Sequence, residues 1–340
     1  LGEKNEKIIN YKKYKIMKFA LILDGCVQRS FYVEEGKSYK LKSDKKEPYV
    51  YHHSISNECG MGPFAWSFCF NGHFINWTEW DELPDLDLDV IFVSIEKHPD
   101  KYTVDQVRKA YPNALVVATL KELYFIPSIQ QRIDFFNECD AVVVPHADSI
   151  FDMFPELKTK VTKKIHWLPY ATDVDYLYNK YYIEERNESL FSYIVPHPPR
   201  RGQTEAFTKY IGDKYNIPVV RKEVVYTGPE CRQWEEFLDI FSPNTFCFNL
   251  DPEPQYGNQA IQSAIFGIVN IGGINDSHAK LFPNTANNNP EILEQEFVKY
   301  LDIDYRVEQI QKSFQRVNDL YGFPETRIKC NNILEEIYGK

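Results

Sequence analysis

Residues 246–273, FCFNLDPEPQYGNQAIQSAIFGIVNIGG, constrain this chain more than any other stretch. A short apolar run (246–250) enters a Pro-rich loop. A helix-length stretch opens after Gly257 and stops at Gly267. A second apolar run (268–271) then ends in Gly272-Gly273. Two strands joined through a helix read as one βαβ unit, which calls for a parallel sheet covered on both faces. The helix N-terminus faces the mouth of that sheet. Its first amides lack intrahelical acceptors and sit at the positive end of the helix dipole, so the turn is receptive to a phosphate or diphosphate.

The remaining chain repeats this alternation. Short apolar runs at 18–23, 49–53, 90–94, 115–119, 141–144 and 165–167 read as strands. They are separated by helical stretches at 64–70, 128–137 and after Thr103, where Thr103-x-x-Gln106 has capping-box spacing. Residues 170–187 are polar and lose the period, so a linker is expected there. The pattern then restarts: a strand at 190–196, the loop HPPRRG, a helix at 204–214, strands at 218–220 and 224–226, and a helix at 230–241. Asn289-Pro290 opens a helix in N-cap/N1 form, and helices at 305–320 and 325–337 follow. The simplest assembly is an α/β protein of two doubly wound Rossmann-like domains facing a cleft.

Composition narrows the chemistry. At 340 residues, 43% hydrophobic and 26% charged, the chain belongs with globular proteins. It has no apolar run long enough for a membrane span. Its seven scattered cysteines form no CxxC, which fits reduced thiols, and a cytoplasmic setting (the host cytoplasm for a viral protein) is the expectation. The net charge of −10 argues against an extended grip on nucleic acid, although lysine-rich stretches at 12–18, 37–46 and 158–164 could make one basic face.

The order of these pieces resembles the GT-B glycosyltransferases. Gly60-Met61-Gly62, a helix, then Asn71-Gly72-His73-Phe74 is similar to the glycine loop and "GH-hydrophobic" turn of that family. The run 167–175, WLPYATDVD, resembles the segment linking its two domains, with Ala171 where glycine is usual. Gly202 after Arg200-Arg201 resembles the basic-glycine turn of the second domain. Tyr256-Gly257 with 262–267, QSAIFG, matches the spacing of the "fG…EAmAxG" donor frame. Gln262 replaces the Glu that holds the nucleotide ribose, and Pro254 takes the place of an upstream Glu, with Glu253 one residue earlier. The resemblance implies an acceptor-side domain (1–172), a linker (173–189), a nucleotide-sugar domain (190–304) and closing helices (305–340) that pack back across the cleft.

It also implies a division of labour. Arg200, Arg201 and Gly202 would hold the donor diphosphate, a task suited to a guanidinium fork. Glu253, Tyr256, Gly257, Asn258, Gln259 and Gln262 would line the rest of the donor site. Glu122 and His98 are the catalytic candidates, each past the C-terminal end of a strand, where ligands gather in α/β sheets. Gly60, Gly62 and His146 lie on the acceptor side. Trp66, Trp77 and Trp80, on the acceptor side, could stack on a sugar or a base, but core packing is the expectation. No cofactor or metal is expected. The co-substrate is a nucleotide-diphosphate sugar, a UDP-sugar first, and the acceptor a hydroxyl of a glycan, a lipid-linked molecule or modified DNA. Arg201-Gly202-Gln203-x-Glu205 is similar to the basic loop of phage DNA glucosyltransferases, so transfer to a hydroxymethylated base is the second reading. A non-catalytic nucleotide-sugar-binding module is the third.

Overall fold

Apolar runs of four or five residues become strands buried on both faces. The protein is described here by a computed structural model, which covers residues 17–23, 30–41, 63–82, 85–95, 102–120, 128–146, 149–194, 198–223, 234–250 and 256–338. Within these, residues 81–82, 193–194, 198–202, 223 and 234–235 are described by their backbone alone. The first half contains β1 (Phe19–Leu23), β2 (Phe31–Glu34), β3 (Lys37–Lys40), α1 (Ala65–Cys69), β4 (His73–Asn76), β5 (Val90–Ser94), α2 (Val104–Ala110) and β6 (Leu115–Ala118). It continues through α3 (Ile129–Glu138), β7 (Ala141–Val144), α4 (Ser149–Met153), α5 (Glu156–Lys160) and β8 (Ile165–Trp167). These strands form one sheet in the order β3-β2-β4-β1-β5-β6-β7-β8, antiparallel at β2–β3 and β2–β4 and parallel from β4 onward.

Side chains alternate between the faces of this sheet, and each face has its own cover. Ala20, Ile22, Ile91, Val93, Val116 and Val142 pack with Val104 and Val107 of α2 and with Ile133 and Phe136 of α3. Phe19, Leu21, Phe92, Val117 and Val143 point the other way, into a cluster with Trp66 of α1. Each such buried Phe, Leu or Val stabilises the fold by roughly 1.5–3 kcal/mol.

The chain then passes through α6 (Val174–Tyr181) into β9 (Asn187–Ile194), α7 (Pro198–Tyr215), β10 (Val219–Glu223), α8 (Trp234–Phe241), β11 (Asn244–Phe248), α9 (Asn258–Phe266) and β12 (Val269–Ile271). The second sheet is wholly parallel, in the order β10-β9-β11-β12. Leu190, Phe246 and Phe248 meet Phe207 and Ile211 of α7 on one face. Phe191 and Cys247 meet α8 and α9 on the other. This sheet is doubly wound. Its order reverses at β9, whose neighbours are β10 and β11, which makes the C-terminal ends of β9 and β11 the topological switch point where α/β sheets hold their ligands.

Four helices close the chain: α10 (Asp276–Leu281), α11 (Pro290–Lys299), α12 (Ile303–Tyr321) and α13 (Phe323–Tyr338). Leu293 and Phe297 of α11 complete the face covered by α7. The α12–α13 junction returns to the first half. Thr172 N donates to Tyr321 O at 2.8 Å, and Arg327 Nε donates to Cys69 O at 2.5 Å.

The structure departs from the sequence reading in several places: β4, α4, α5 and α10 form where no element was expected. An antiparallel hairpin, β2–β3, extends the first sheet at its edge, where no element was expected. The polar stretch expected to be a linker contains α6, capped by Asp173 Oδ1 accepting from Tyr176 N at 3.0 Å. The HPPRRG loop is helical from Pro198, so Arg200, Arg201 and Gly202 belong to the opening of α7 and not to a loop ahead of it. Proline fits there because its missing N–H would have no helical partner at N1. The strands expected at 49–53 and 224–226 lie outside the described residues.

Candidate functional site

Helices α7, α9 and α10 each begin past the C-terminal end of a strand of the second sheet. Arg200 and Arg201 lie in the first turn of the long helix α7. Cations are unfavourable at that end of the dipole, and a bound anion would reverse the sign of the interaction.

The start of α9 lacks a side-chain cap, as do the short helices α1 and α5. Thr103, Ser128, Asp173, Asn275, Asn289 and Asp302 each place a side-chain oxygen on the first-turn amides of α2, α3, α6, α10, α11 and α12. At α9 the N-cap is Gly257, at φ +88°, and no side chain caps the helix. A Cβ on Gly257 would stand 2.0 Å from Asn275 Oδ1. Asn258 is exposed, while Gln262 on the next turn is buried. Gln259 and Ser263 hydrogen-bond toward the Cys247 thiol, whose pKa burial nonetheless pushes up to about 12.

The β12–α10 turn carries Gly272-Gly273. Gly272 N donates to Thr285 O at 3.0 Å and Gly273 N to Asn287 O at 3.2 Å, which presses the turn against the chain ahead of α11. Asn275 Oδ1 accepts from His278 N at 2.8 Å and so caps α10.

Polar contacts join this edge to the first half. Tyr256 Oη donates to Tyr170 O at 3.0 Å, and Tyr170 Oη donates to Leu120 O at 3.2 Å. Ser149 Oγ donates to Asp276 Oδ2 at 2.5 Å, and Ser277 Oγ donates to Tyr256 O. His146, beyond the end of β7, is buried with its ring edge-on to Tyr256 at 6.1 Å.

His278 lies beneath the Gly272-Gly273 turn. Thr285 Oγ1 gives its one proton to a backbone carbonyl, Asn270 O at 3.0 Å or Phe282 O at 3.2 Å, so it accepts from His278 Nε2–H at 3.0 Å. Nδ1 is left as an acceptor without a partner among the described residues. Burial lowers the pKa of this ring to about 3. In an unfolded chain the ring takes its proton near the ordinary value of 6.5. Stability therefore falls as pH drops from about 6.5 toward the folded-state value. Between pH 7 and pH 5 this one ring is expected to cost about 2 kcal/mol. Urea midpoints at the two pH values should show that much less difference in His278→Phe.

The structure brings Tyr256, Gly257, Asn258, Gln259 and Gln262 together along one helix start, with His146 opposite. Glu122, His98, Glu253, Gly60 and Gly62 lie outside the described residues. Trp66 and Trp77 are core residues at 0% and 1% exposure, as expected, whereas Trp80 is only half-buried, stacked on Trp77. Sequence reasoning passed over Asn275, Asp276, His278 and Ser149. Gly-Gly followed by Asn-Asp is itself a turn-and-cap signal for the first two. Among the described residues no group of His, Cys, Asp or Glu is arranged to hold a metal ion, and no helix is long and apolar enough to cross a membrane.

No protein-family model matches this chain, and no curated protein matches its sequence. Solved structures do. An alpha-glucosyltransferase in complex with UDP-glucose and DNA containing an abasic site superposes at a TM-score of 0.56 with 10% identity, over 95% of this chain and 99% of the other. Sucrose-phosphate synthase from Thermosynechococcus elongatus gives 0.55 and 12%, over 94% and 88%. A chain of the GtfA/B complex gives 0.53 and 11% over 74% of this chain, which spans 58% of that longer one. The chain has the GT-B fold of these glycosyltransferases, as the sequence resemblance implied.

Proposed function

We propose that the protein is a glycosyltransferase that moves a sugar from a nucleotide-diphosphate sugar, a UDP-sugar first, to a hydroxyl acceptor. The observation that carries this is the start of α9, which has no side-chain cap and opens from Gly257 beside the Gly272-Gly273 turn, next to the crevice where the second sheet reverses its order. Donor amides left open at such a point suit a diphosphate. Arg200 and Arg201 would neutralise the charge that grows on the departing diphosphate, and the α7 and α9 dipoles would add to that effect. Gln262 would face the ribose as a neutral hydrogen-bonding group. Glu253 would lie toward the sugar. The acceptor would enter over the first sheet, on the side of Gly60, Gly62 and His146, and Glu122 or His98 would take its proton. The fold's solved relatives include proteins in complex with UDP-glucose, which supports UDP as the first nucleotide to test.

A thermal-shift screen against nucleotide sugars tests the reading. A ligand that binds the native state at a hundred times its dissociation constant adds about 2.7 kcal/mol, enough to raise the melting temperature by several degrees. Arg201→Ala is expected to lose most of that shift and to slow transfer by roughly tenfold or more, as befits a charge-assisted contact of about 1.5–3 kcal/mol. Unchanged donor hydrolysis and transfer in this variant would sink the assignment. Tight nucleotide binding with no turnover of any sugar in the panel would leave a binding module.

A second reading takes modified DNA as the acceptor. It is favoured by the similarity, over nearly the full length of both chains, to an alpha-glucosyltransferase in complex with UDP and DNA containing a HMU base. A mobility-shift assay at low salt, with plain and hydroxymethylated duplexes, separates the two. Absence of any shift removes the DNA reading.

A further inference from the structure

Trp167 ends β8, the edge strand of the first sheet, and two lysines share its indole. Lys280 Nζ, on α10, lies 4.7 Å from the ring centroid, and Lys329 Nζ, on α13, lies 4.6 Å from it. The ring is held in place: its Nε1 donates to Pro145 O at 3.0 Å, and Tyr321 meets it edge-on at 6.4 Å. All three residues are half-buried. Other lysines of the chain sit on carboxylates, as Lys164 does on Glu336, Lys209 on Asp213 and Lys299 on Glu296. Lys280 and Lys329 form no ion pair among the described residues, although acidic residues outnumber basic ones by 49 to 39 in this chain. Lys329 Nζ donates to Leu320 O at 2.8 Å and has further protons to give. Lys280 Nζ makes no hydrogen bond among the described residues.

An indole attracts a cation, but two ammonium groups at one ring oppose each other. Burial, first of all, lowers the pKa of Lys329 to about 8; Glu325 opposes that shift and the charge of Lys280 adds to it. An anion within reach of both would act against each cost. It would replace lost water by charge-assisted hydrogen bonds and offset the repulsion. A phosphate monoester carries a charge of about −1.5 to −2 and three acceptor oxygens, so one group answers two ammonium ions. A phosphodiester or a carboxylate brings a single charge. We propose that Lys280 and Lys329 form a site for a small-molecule phosphate monoester at the end of β8, separate from the α9 turn read as the donor site.

Titration calorimetry at constant ionic strength tests this, with methyl phosphate as the probe and dimethyl phosphate as its monoanionic control. The wild type is expected to bind methyl phosphate about tenfold more tightly than dimethyl phosphate, the size of one charge-assisted contact. Lys280→Gln removes no internal hydrogen bond, so its melting temperature should stay close to the wild-type value. Methyl phosphate should bind that variant about tenfold more weakly. Lys280→Arg keeps the charge and should keep most of the affinity. Lys329→Gln also loses the bond to Leu320 O, so it is expected to melt lower as well as to bind more weakly. Arg201→Ala should bind methyl phosphate as the wild type does. Loss of binding in Arg201→Ala with none in Lys280→Gln puts the phosphate in the donor site, which overturns this proposal and leaves the donor reading standing. No binding by the wild type, equal affinity for the two probes, or unchanged affinity in Lys280→Gln also overturns it.

Discussion

Gly272→Ala is expected to destabilise the protein by about 3 kcal/mol or more and, on the donor-site reading proposed above, to abolish nucleotide binding. Gly272 sits at φ +91°, a conformation that L side chains rarely adopt, and an added Cβ would lie 2.4 Å from Asn249 O. The obstacle is backbone, and it is held from both sides. Asn249 N donates to Ile271 O at 2.9 Å, while Gly272 N donates to Thr285 O. Relief would pull β11 from β12 or push the turn off the segment before α11, and either movement displaces the start of α9. Gly36→Ala is the control. Its φ is also positive, at +75°, but nothing lies within 4 Å of the new methyl group, so only the conformational cost of roughly 1–2 kcal/mol applies. Urea denaturation of both variants, with nucleotide titrations of the folded fraction, measures the difference. Equal losses would mean that the Gly272 turn yields, and the steric argument would fall.

Trp66→Ala is expected to cost about 3–5 kcal/mol. The indole is fully buried and edge-on to Phe92 at 5.1 Å and to Tyr170 at 5.0 Å. Its Nε1 donates to Pro169 O at 2.9 Å. Deleting it would empty the place where the chain leaves the first sheet for the second, and Tyr170, which receives the Tyr256 hydroxyl, would lose a wall. Trp66→Phe separates the contributions. It refills much of the volume but leaves a buried carbonyl unpaired, so a loss of about 1–3 kcal/mol is expected. If Trp66→Phe proves as harmful as Trp66→Ala, the hydrogen bond outweighs the packing.

Most of the parallel strands were legible because burial on both faces writes them as unbroken apolar runs, whereas β4, with its polar ends His73 and Asn76, was missed. Val90–Ser94 and Ala141–Val144 are read from the letters with the bounds the structure gives them. Thr103 and Gln106 announce α2 through a capping box that forms in full. The hairpin was missed because β2 and β3 lie at an edge and alternate buried with exposed residues, as FYVE and KSYK. Glu35-Gly36 between them, both at positive φ, is a two-residue turn that the sequence did offer. Helix α6 hides its period in tyrosines, with Val174, Leu177 and Tyr181 on its buried face. At the site, Gly257 and Gly267 bound α9 as their spacing suggested. The bare Nδ1 of His278 and the unpartnered ring of His146 have no linear signature. His278 is closed in by neighbours from its own stretch of chain, Gly273, Phe282 and Thr285, and His146 by Tyr256 from the other half.

The return of α13 to α1 has a consequence for how the molecule is made. The Arg327–Cys69 hydrogen bond spans 258 residues of sequence, and Lys164 meets Glu336 across 172. During synthesis the strands of the first sheet emerge early, but the helix that finishes covering α1 comes only after the whole second sheet. Contacts of such separation form late and slowly. Until they do, the apolar face around Cys69 and Phe70 stays open to other chains, as incompletely covered folding intermediates do. Shortening α13 should therefore lower the yield of soluble protein and loosen the first half, although every residue removed belongs to the other end of the sequence.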